Sequence, residues 1–195
     1  MHLELKSIGG IFEGTVSKDF LVIEGEWKQS GATLPITLRL VDKEVEILRP
    51  QEPRKPYPYT EEEVKYDNKE AKISLAGTLT LPTGKGPFPV VLLISGSGPQ
   101  DRDETVFCHR PFLVLADYLT RQGIAVLRVD DRGVRESSGD FSLATSEDFA
   151  SDVSAGIEYL KTRKEINPEK IGLIGHSEGG IIAPMVAVKS PDILT

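Results

Sequence analysis

The chain is poor in cysteine, since Cys108 is the only one among 195 residues. One cysteine cannot form an intrachain disulfide and leaves no cysteine-based zinc site. We interpret Cys108 as a packing residue at the boundary of an element. No apolar run is long enough to span a membrane, and residues 1–4 lack the basic and apolar regions of a signal peptide. These features leave the compartment open.

Clustered positive charge is also missing. The formal net charge is −7, with 23 Lys and Arg residues against 30 Asp and Glu residues. A nucleic-acid interface needs a basic patch that neutralises phosphates. Apolar residues make up 39% of the sequence, a normal share for a globular domain. The composition therefore predicts one ordinary globular domain with a small appendage, and neither nucleic acid nor a membrane as its partner.

Short alternating apolar runs, separated by glycine-containing turns, fill residues 1–41. This pattern predicts a four-strand antiparallel β meander, which we assign to an N-terminal unit of residues 1–48. Residues 49–59 contain four prolines and predict an extended, semi-rigid tether. Residues 60–195 form the second predicted unit.

The second unit alternates strand and helix signals. Residues 63–66 and 73–81 alternate like antiparallel strands, whereas residues 90–94, 124–129 and 170–175 are apolar like strands buried between helices. The predicted helices carry apolar stripes at helical spacing. The first opens at Pro111 and has the stripe Phe112, Leu115, Ala116 and Leu119. The second has a capping box of Thr145 and Asp148 and is expected to stop at Asn167 and Pro168. Pro184 is expected to bend or shorten the last helix.

A Gly-x-Ser-x-Gly motif occupies residues 175–179, between the last predicted strand and the last predicted helix. Strand, tight turn and helix form the context of a nucleophile elbow, in which Ser177 is the nucleophile. The N–H group of Glu178, which follows it, is then one donor of an oxyanion hole. The alternative is an ordinary strand-to-helix turn, because the motif is common by chance.

A glycine-rich loop, Ser95-Gly96-Ser97-Gly98, follows the predicted strand 90–94. The backbone N–H group of Ser97 is the predicted second oxyanion donor. A phosphate cradle or a plain turn are the alternatives. A dinucleotide fingerprint opens a helix directly, whereas Pro99 and several charged residues follow here, which argues against a nucleotide.

Three motifs at the ends of predicted strands now stand in order, at residues 96–103, 130–133 and 175–180. They read Gly-Ser-Gly-Pro-x-Asp-Arg-Asp, Asp-Asp-Arg-Gly and Gly-His-Ser-Glu-Gly-Gly. With them the chain resembles the α/β-hydrolase superfamily, and within it bacterial serine esterases, over about residues 75–188. The resemblance implies an α/β fold with a mostly parallel sheet flanked by helices. It also implies short-chain acyl esters as small-molecule substrates, and no metal or organic cofactor.

The triad acid and histidine of this superfamily follow the nucleophile in the chain. Here the sequence ends at Thr195, one helix past Ser177. We therefore expect a fold truncated after the nucleophile helix, without triad acid and histidine, and with doubtful activity. The strand 170–175 is then expected at the sheet edge, where it invites pairing with a second copy in a homo-oligomer.

The remaining histidines and carboxylates are candidates for the missing roles. We interpret His176 as packed beneath the turn and His2 as part of the meander. We interpret His109 as a helix-start or loop residue, and the alternative is that it reaches Ser177. Four carboxylates lie at the same edge, and we interpret them as structural through Arg102 and Arg132: Asp101, Asp103, Asp130 and Asp131.

Serine hydrolysis of carboxylic esters through an acyl-enzyme on Ser177 is the leading functional hypothesis. A peptidase or thioesterase on the same scaffold is the alternative among enzymes, and a further alternative is that the chain is a fragment of a longer esterase, thioesterase or peptidase. The alternative of another class is a non-catalytic, truncated hydrolase that serves as a binding or assembly module.

Overall fold

The computed structural model describes residues 1–43, 48–190 and 193. It divides into two compact units, Met1–Leu48 and Arg49–Thr195. Residues 44–47, at the end of the predicted N-terminal unit, and residues 191, 192, 194 and 195, at the end of the second, lie outside the described residues.

The N-terminal unit is the predicted antiparallel meander. Its strands are β1 (His2–Leu5), β2 (Gly10–Val16), β3 (Val22–Gln29) and β4 (Ala32–Arg39), and each pairs with the next. Within residues 1–43, Phe12 is the one large apolar side chain that is buried, at 3% exposure. The Trp27 ring covers Gly10, where an added Cβ would lie 2.1 Å from Trp27 Cζ2. This sheet therefore has a small core.

The second unit contains a five-stranded sheet of order β5-β6-β8-β7-β9. Its strands are β5 (Thr60–Asn68), β6 (Ile73–Leu81), β7 (Phe88–Ile94), β8 (Ala125–Val129) and β9 (Ile166–Gly175). The sheet is mixed, because β5, β6 and β8 pair antiparallel and β8, β7 and β9 pair parallel. Among the described strands, β9 is an edge strand, as expected.

Three helices cover the sheet: α1 (Pro111–Arg121), α2 (Ser146–Lys161) and α3 (Gly179–Lys189). The predicted capping box at the start of α2 is confirmed, since the Thr145 side chain accepts from the Asp148 N–H group and the Asp148 side chain accepts from Thr145 N–H. The helix α3 continues through Pro184 to Lys189, so of the two expectations for Pro184, bending or shortening, the shortening does not occur.

The predicted stop of α2 at Asn167 and Pro168 is wrong. The helix ends at Lys161, and both residues lie within β9. The pairing of β9 with β7 skips from Ile166 to Ile171, so residues 167–170 bulge out of the ladder. A proline lacks a donor for the ladder and is tolerated at bulges and edge strands, which explains its place here.

The core fills both faces of the sheet. Leu92, Leu127 and Leu173 face a cluster with residues of α2 and α3, such as Ile157 and Ile182. Their sequence neighbours Leu93, Val126 and Ile174 face α1, where they contact Phe112 and Ala116. Burial on both faces is the reason that apolar residues follow one another directly in these strands. The parallel strands β7, β8 and β9 end at one edge of the sheet, at Ile94, Val129 and Gly175.

Candidate active site

The elbow at the end of β9 needs glycine on both sides of Ser177. A Cβ on Gly175 would lie 2.0 Å from Gly179 O, and a Cβ on Gly179 would lie 2.2 Å from Ile94 O. The φ angle of Ser177 is +52°, in the left-handed region, where a non-glycine residue is strained. His176 N–H donates to Ile94 O at 3.0 Å and ties the turn to β7. Close approach thus forces a strained turn at Ser177.

Ser177 is exposed and lies in a cleft of about 410 Å³ on the α1 side of the sheet. The cleft combines a mostly apolar wall with polar groups near the serine. The apolar lining residues are Val106, Pro111, Phe112, Leu115 and Ile174, and the polar ones include Ser97, Gln100, Glu104 and His176. The cleft thus places the exposed Ser177 beside an apolar wall.

The glycine-rich loop lies against the elbow. A Cβ on Gly96 would lie 3.1 Å from Ser177 Cβ. Gly96 N–H donates to Glu104 Oε1 at 2.7 Å. In the described part of the chain, the N–H groups of Ser97 and Glu178 donate no hydrogen bond. These two donors are therefore free for an incoming oxygen.

A second, smaller cavity of about 50 Å³ lies on the other side of this loop, beneath Ser95 and Gly96 and beside Asp131. Ser177 does not line it, whereas Glu178 does. Because Ser177 is outside this cavity, the cleft on the α1 side is the candidate site.

The interpretation of His176 as packed beneath the turn is wrong. Its side chain is 67% exposed, and Nδ1 lies 2.8 Å from Glu104 Oε1. The physical reason is the Glu104 carboxylate, which offers the ring an acceptor in the cleft. His176 therefore lies beside Ser177 in the cleft rather than in the core.

His109 is turned away from the serine. Its Nδ1 lies 3.0 Å from Glu52 Oε1, which also accepts from Arg110 N–H at 2.8 Å. His2 lies in β1 of the N-terminal unit. Among the residues that the structure describes, no imidazole is hydrogen-bonded to Ser177.

The segment 49–59, predicted as a tether, also bonds α1 and the turn before that helix through two residues other than Glu52. Tyr59 OH donates to Asp117 Oδ1 at 2.9 Å, and Arg49 Nη2 donates to the Phe107 carbonyl at 3.1 Å.

The interpretation of Cys108 as a packing residue is wrong, because Cys108 is exposed. It lies in a tight turn, closed by the pair Val106 and His109, with φ at +58°.

Asp130 forms a buried ion pair at the carboxyl edge. It is 0% exposed, and its Oδ2 accepts from Arg102 Nη2 at 2.6 Å. Arg102 N–H also donates to Asp130 Oδ1, at 2.8 Å. Asp130 therefore fastens the loop that carries Arg102, in the structural role predicted for it.

Asp131 forms hydrogen bonds with the glycine-rich loop and the residues that follow it. Its two carboxylate oxygens accept from Ser95 Oγ at 2.8 Å and from Gln100 N–H at 2.9 Å. Burial raises the pKa of Asp131 to about 6, although these hydrogen bonds act to lower it. Arg132, expected to serve this edge, instead pairs with Asp148 and Asp152 of α2.

Asp103 and Asp101 complete the predicted carboxylates. Asp103 pairs with the buried Arg128, and burial raises the pKa of its carboxyl. For Asp101, burial is outweighed by hydrogen bonds from Thr105 and Arg135, so its pKa is lowered. Both carboxylates are thus structural partners within the loop.

Sequence reasoning missed Glu104, which is buried and contacts both predicted motifs. The one available signal was its place directly after residues 96–103. Over the described ranges, no three His, Cys, Asp or Glu side chains are grouped to hold a metal ion. In the same part of the chain, no helix combines the length and apolarity needed to cross a membrane.

Comparison with known families decides the wider relationship. The family model of the X-Pro dipeptidyl-peptidases (S15 family) matches residues 44–195. The chain belongs to this family of α/β-hydrolases. The family assignment agrees with the resemblance seen in the three motifs and with the observed sheet order.

Relatives of this family member include esterases. Esterase EstD from Thermotoga maritima is 34% identical over 126 residues, which are 64% of this chain and 30% of EstD. The Pyrococcus furiosus esterase Pf2001 is 25% identical, with a TM-score of 0.55 over 69% of this chain and 49% of that one. Est1E from Butyrivibrio proteoclasticus, solved with ferulic acid, is 25% identical, with a TM-score of 0.58 over 67% and 49%. The chain thus spans less than half the length of each of these relatives.

Proposed function

We propose that the chain carries the nucleophile and the oxyanion hole of a serine hydrolase that cleaves short-chain carboxylic esters. The observation that carries this proposal is Ser177 itself, exposed in a cleft and held at φ +52° between β9 and α3. A strained, exposed serine between a strand and a helix is the geometry of a nucleophile elbow. The homology to esterases supports an ester as the small-molecule substrate.

In this proposal Ser177 Oγ attacks the acyl carbonyl carbon, and the carbonyl oxygen takes the negative charge. The N–H groups of Ser97 and Glu178 donate to that oxygen. When the tetrahedral intermediate collapses, the alcohol leaves with a proton and the acyl group stays on Ser177. Water then releases the acid and restores the hydroxyl.

The described residues include no group placed to accept the proton of the Ser177 hydroxyl. In the superfamily a histidine oriented by an acid accepts the serine proton, and among the described residues no imidazole bonds to Ser177. Without triad members, an oxyanion hole and substrate binding still give roughly 10³–10⁴-fold acceleration over water. We therefore propose slow acylation by this chain alone, through Ser177, with no metal or organic cofactor.

We further propose that β9 pairs with a second copy of the chain. On one side β9 pairs with β7, while no described strand pairs with its other side. Unpaired edges of this kind bind other strands. Light scattering over a concentration series should show a dimer, and a monomer at every concentration would contradict the pairing.

The test of the hydrolase uses p-nitrophenyl acetate and a fluorophosphonate probe with the full chain. Labelling and nitrophenol release should both be lost in Ser177→Ala. They should persist in Ser154→Ala, since the Ser154 hydroxyl lies in α2 and bonds the Ala150 carbonyl of the same helix. No labelling and no release by the unmodified chain would favour the non-catalytic binding or assembly module.

The family model favours one alternative substrate, because its description names an X-Pro dipeptidyl-peptidase. The same acylation chemistry then acts on an amide bond after proline. Release of p-nitroaniline from Ala-Pro-p-nitroanilide faster than hydrolysis of p-nitrophenyl acetate would favour the peptidase over the esterase.

A further inference from the structure

A carboxylate outside the catalytic motifs joins the two halves of the proposed oxyanion hole. Glu104 is 5% exposed. Its Oε1 atom accepts from Gly96 N–H at 2.7 Å and bonds His176 Nδ1 at 2.8 Å. In the tautomer that carries its proton on Nδ1, the His176 ring donates this hydrogen bond to the carboxylate. One oxygen atom therefore connects the glycine-rich loop to the elbow.

The backbone at Glu104 is strained to reach this place. Its φ angle is +52°, a conformation that non-glycine residues rarely adopt. Glu104 N–H donates to the Asp101 carbonyl at 2.8 Å, which closes the turn. Strained residues in a site are a reason to search for a role beyond packing.

Glu104 lies next to the point at which the glycine-rich loop contacts the elbow, at Gly96. A Cβ on Gly96 would lie 3.1 Å from Ser177 Cβ and 3.2 Å from both Glu104 Oε1 and His176 Nδ1. The loop, the elbow and the carboxylate thus meet at one point. A change in the Glu104 side chain would shift the loop relative to the Ser177 hydroxyl.

We propose that Glu104 is a positioning residue for the reaction of Ser177. It binds Gly96 N–H and His176 together, and so holds the next N–H group, that of Ser97, where the oxyanion forms. Gly96 N–H is already used by Glu104, whereas Ser97 N–H donates no hydrogen bond among the described residues. This inference rests on the proposed function of Ser177 and assigns Glu104 no contact with substrate.

The first test compares Glu104→Ala with Glu104→Gln by the second-order rate of Ser177 labelling with a fluorophosphonate, whose phosphoryl oxygen occupies the oxyanion position. Both hydrogen bonds end on one oxygen, so the carbonyl oxygen of glutamine can accept both. Loss of a placed oxyanion donor costs about 10²–10³-fold in rate. We expect Glu104→Ala to approach that loss, and Glu104→Gln to stay within about threefold of the unmodified chain.

Thr120→Val is the control for stability alone. Thr120 is buried and bonds Thr80 Oγ1 at 2.6 Å, near the opposite end of β8 from the site. The Thr120→Val variant should have a lower melting temperature than the unmodified chain and the same rate of Ser177 labelling. Labelling of Glu104→Ala within twofold of the unmodified chain would overturn the proposal.

A second measurement separates failure of this inference from failure of the proposed function. Hydrogen exchange of the Gly96 amide should be slow in the unmodified chain and in Glu104→Gln, and at least tenfold faster in Glu104→Ala. If the unmodified chain is not labelled at Ser177, the proposed function fails, while this exchange pattern still supports Glu104 as the residue that positions the loop. Equal exchange in all three proteins would overturn the inference in either case.

Discussion

Asp131 accepts a hydrogen bond from Ser95 Oγ at 2.8 Å, and through it the end of β8 holds the first residue of the glycine-rich loop. The carboxylate is largely buried, and burial raises its pKa to about 6, well above the ordinary value of 3.8. Folding therefore favours the protonated acid. The carboxylate that orders the loop therefore lowers the free energy of unfolding when it is ionised, by an amount that depends on pH.

This cost predicts that stability falls as the pH rises through about 6. Below the unfolded pKa both states are protonated and no penalty applies, whereas above the folded pKa the buried charge costs up to about 3 kcal/mol. In Asp131→Asn the amide oxygen can accept from Gln100 N–H and the amide nitrogen can donate to Ser95 Oγ. Urea unfolding at pH 4 to 8 should show that the free energy of unfolding of Asp131→Asn increases relative to that of the unmodified chain as the pH rises. A difference that stays constant would contradict the role of Asp131.

The elbow glycines predict unequal effects of one substitution. Gly175→Ala would place a Cβ 2.0 Å from the Gly179 carbonyl oxygen, which is backbone and cannot move aside, whereas at Gly180 the nearest atom is 3.9 Å away. Thermal or urea unfolding should show a loss of more than about 2 kcal/mol for Gly175→Ala. The matched Gly180→Ala, inside α3, should be neutral or stabilising by about 0.5–1 kcal/mol. Equal stabilities would mean that the close approach is absent.

The buried pair of Asp130 and Arg102 gives a third prediction, on stability. Asp130→Leu leaves the Arg102 guanidinium without its main partner and should cost about 3–5 kcal/mol. The double variant Asp130→Leu with Arg102→Met removes both charges and should be more stable than the single one. The urea midpoints of the unmodified chain, the single variant and the double variant compare their stabilities. A double variant less stable than Asp130→Leu would show that an uncompensated Arg102 charge is not the cause of the loss.

Local spacing made part of this protein predictable. The strand-to-helix change around Ser177, the apolar runs of β7 to β9 and the Thr145 capping box each depend on residues close in sequence. The sheet of an α/β-hydrolase follows from their order. Pro168 misled because a proline is a strong helix stop, yet a bulge in an edge strand accepts it equally well.

The contact of Glu104 with His176 was not predictable in the same way. The two residues are 72 positions apart, and they meet because a left-handed residue directs the loop back toward the elbow. A glutamate after two aspartates in a polar loop carries no sequence signal of burial. The contacts of the segment 49–59 were missed for the same reason, since Glu52 bonds His109 and Arg110, which lie 57 and 58 positions further along the chain.

The free N–H group of Ser97 gives the last prediction, which separates a backbone role from a side-chain role. Ser97→Pro removes the backbone donor, whereas Ser97→Ala keeps it and removes only the hydroxyl. If this N–H group binds the oxyanion, Ser97→Pro should slow fluorophosphonate labelling of Ser177 by about 10²–10³-fold. Ser97→Ala should stay within about twofold, since the Ser97 side chain makes no hydrogen bond among the described residues. Circular dichroism and the melting temperature must match for the two variants, so that a misfolded loop is not mistaken for a lost donor. Equal rates for proline and alanine would move the second oxyanion donor away from Ser97.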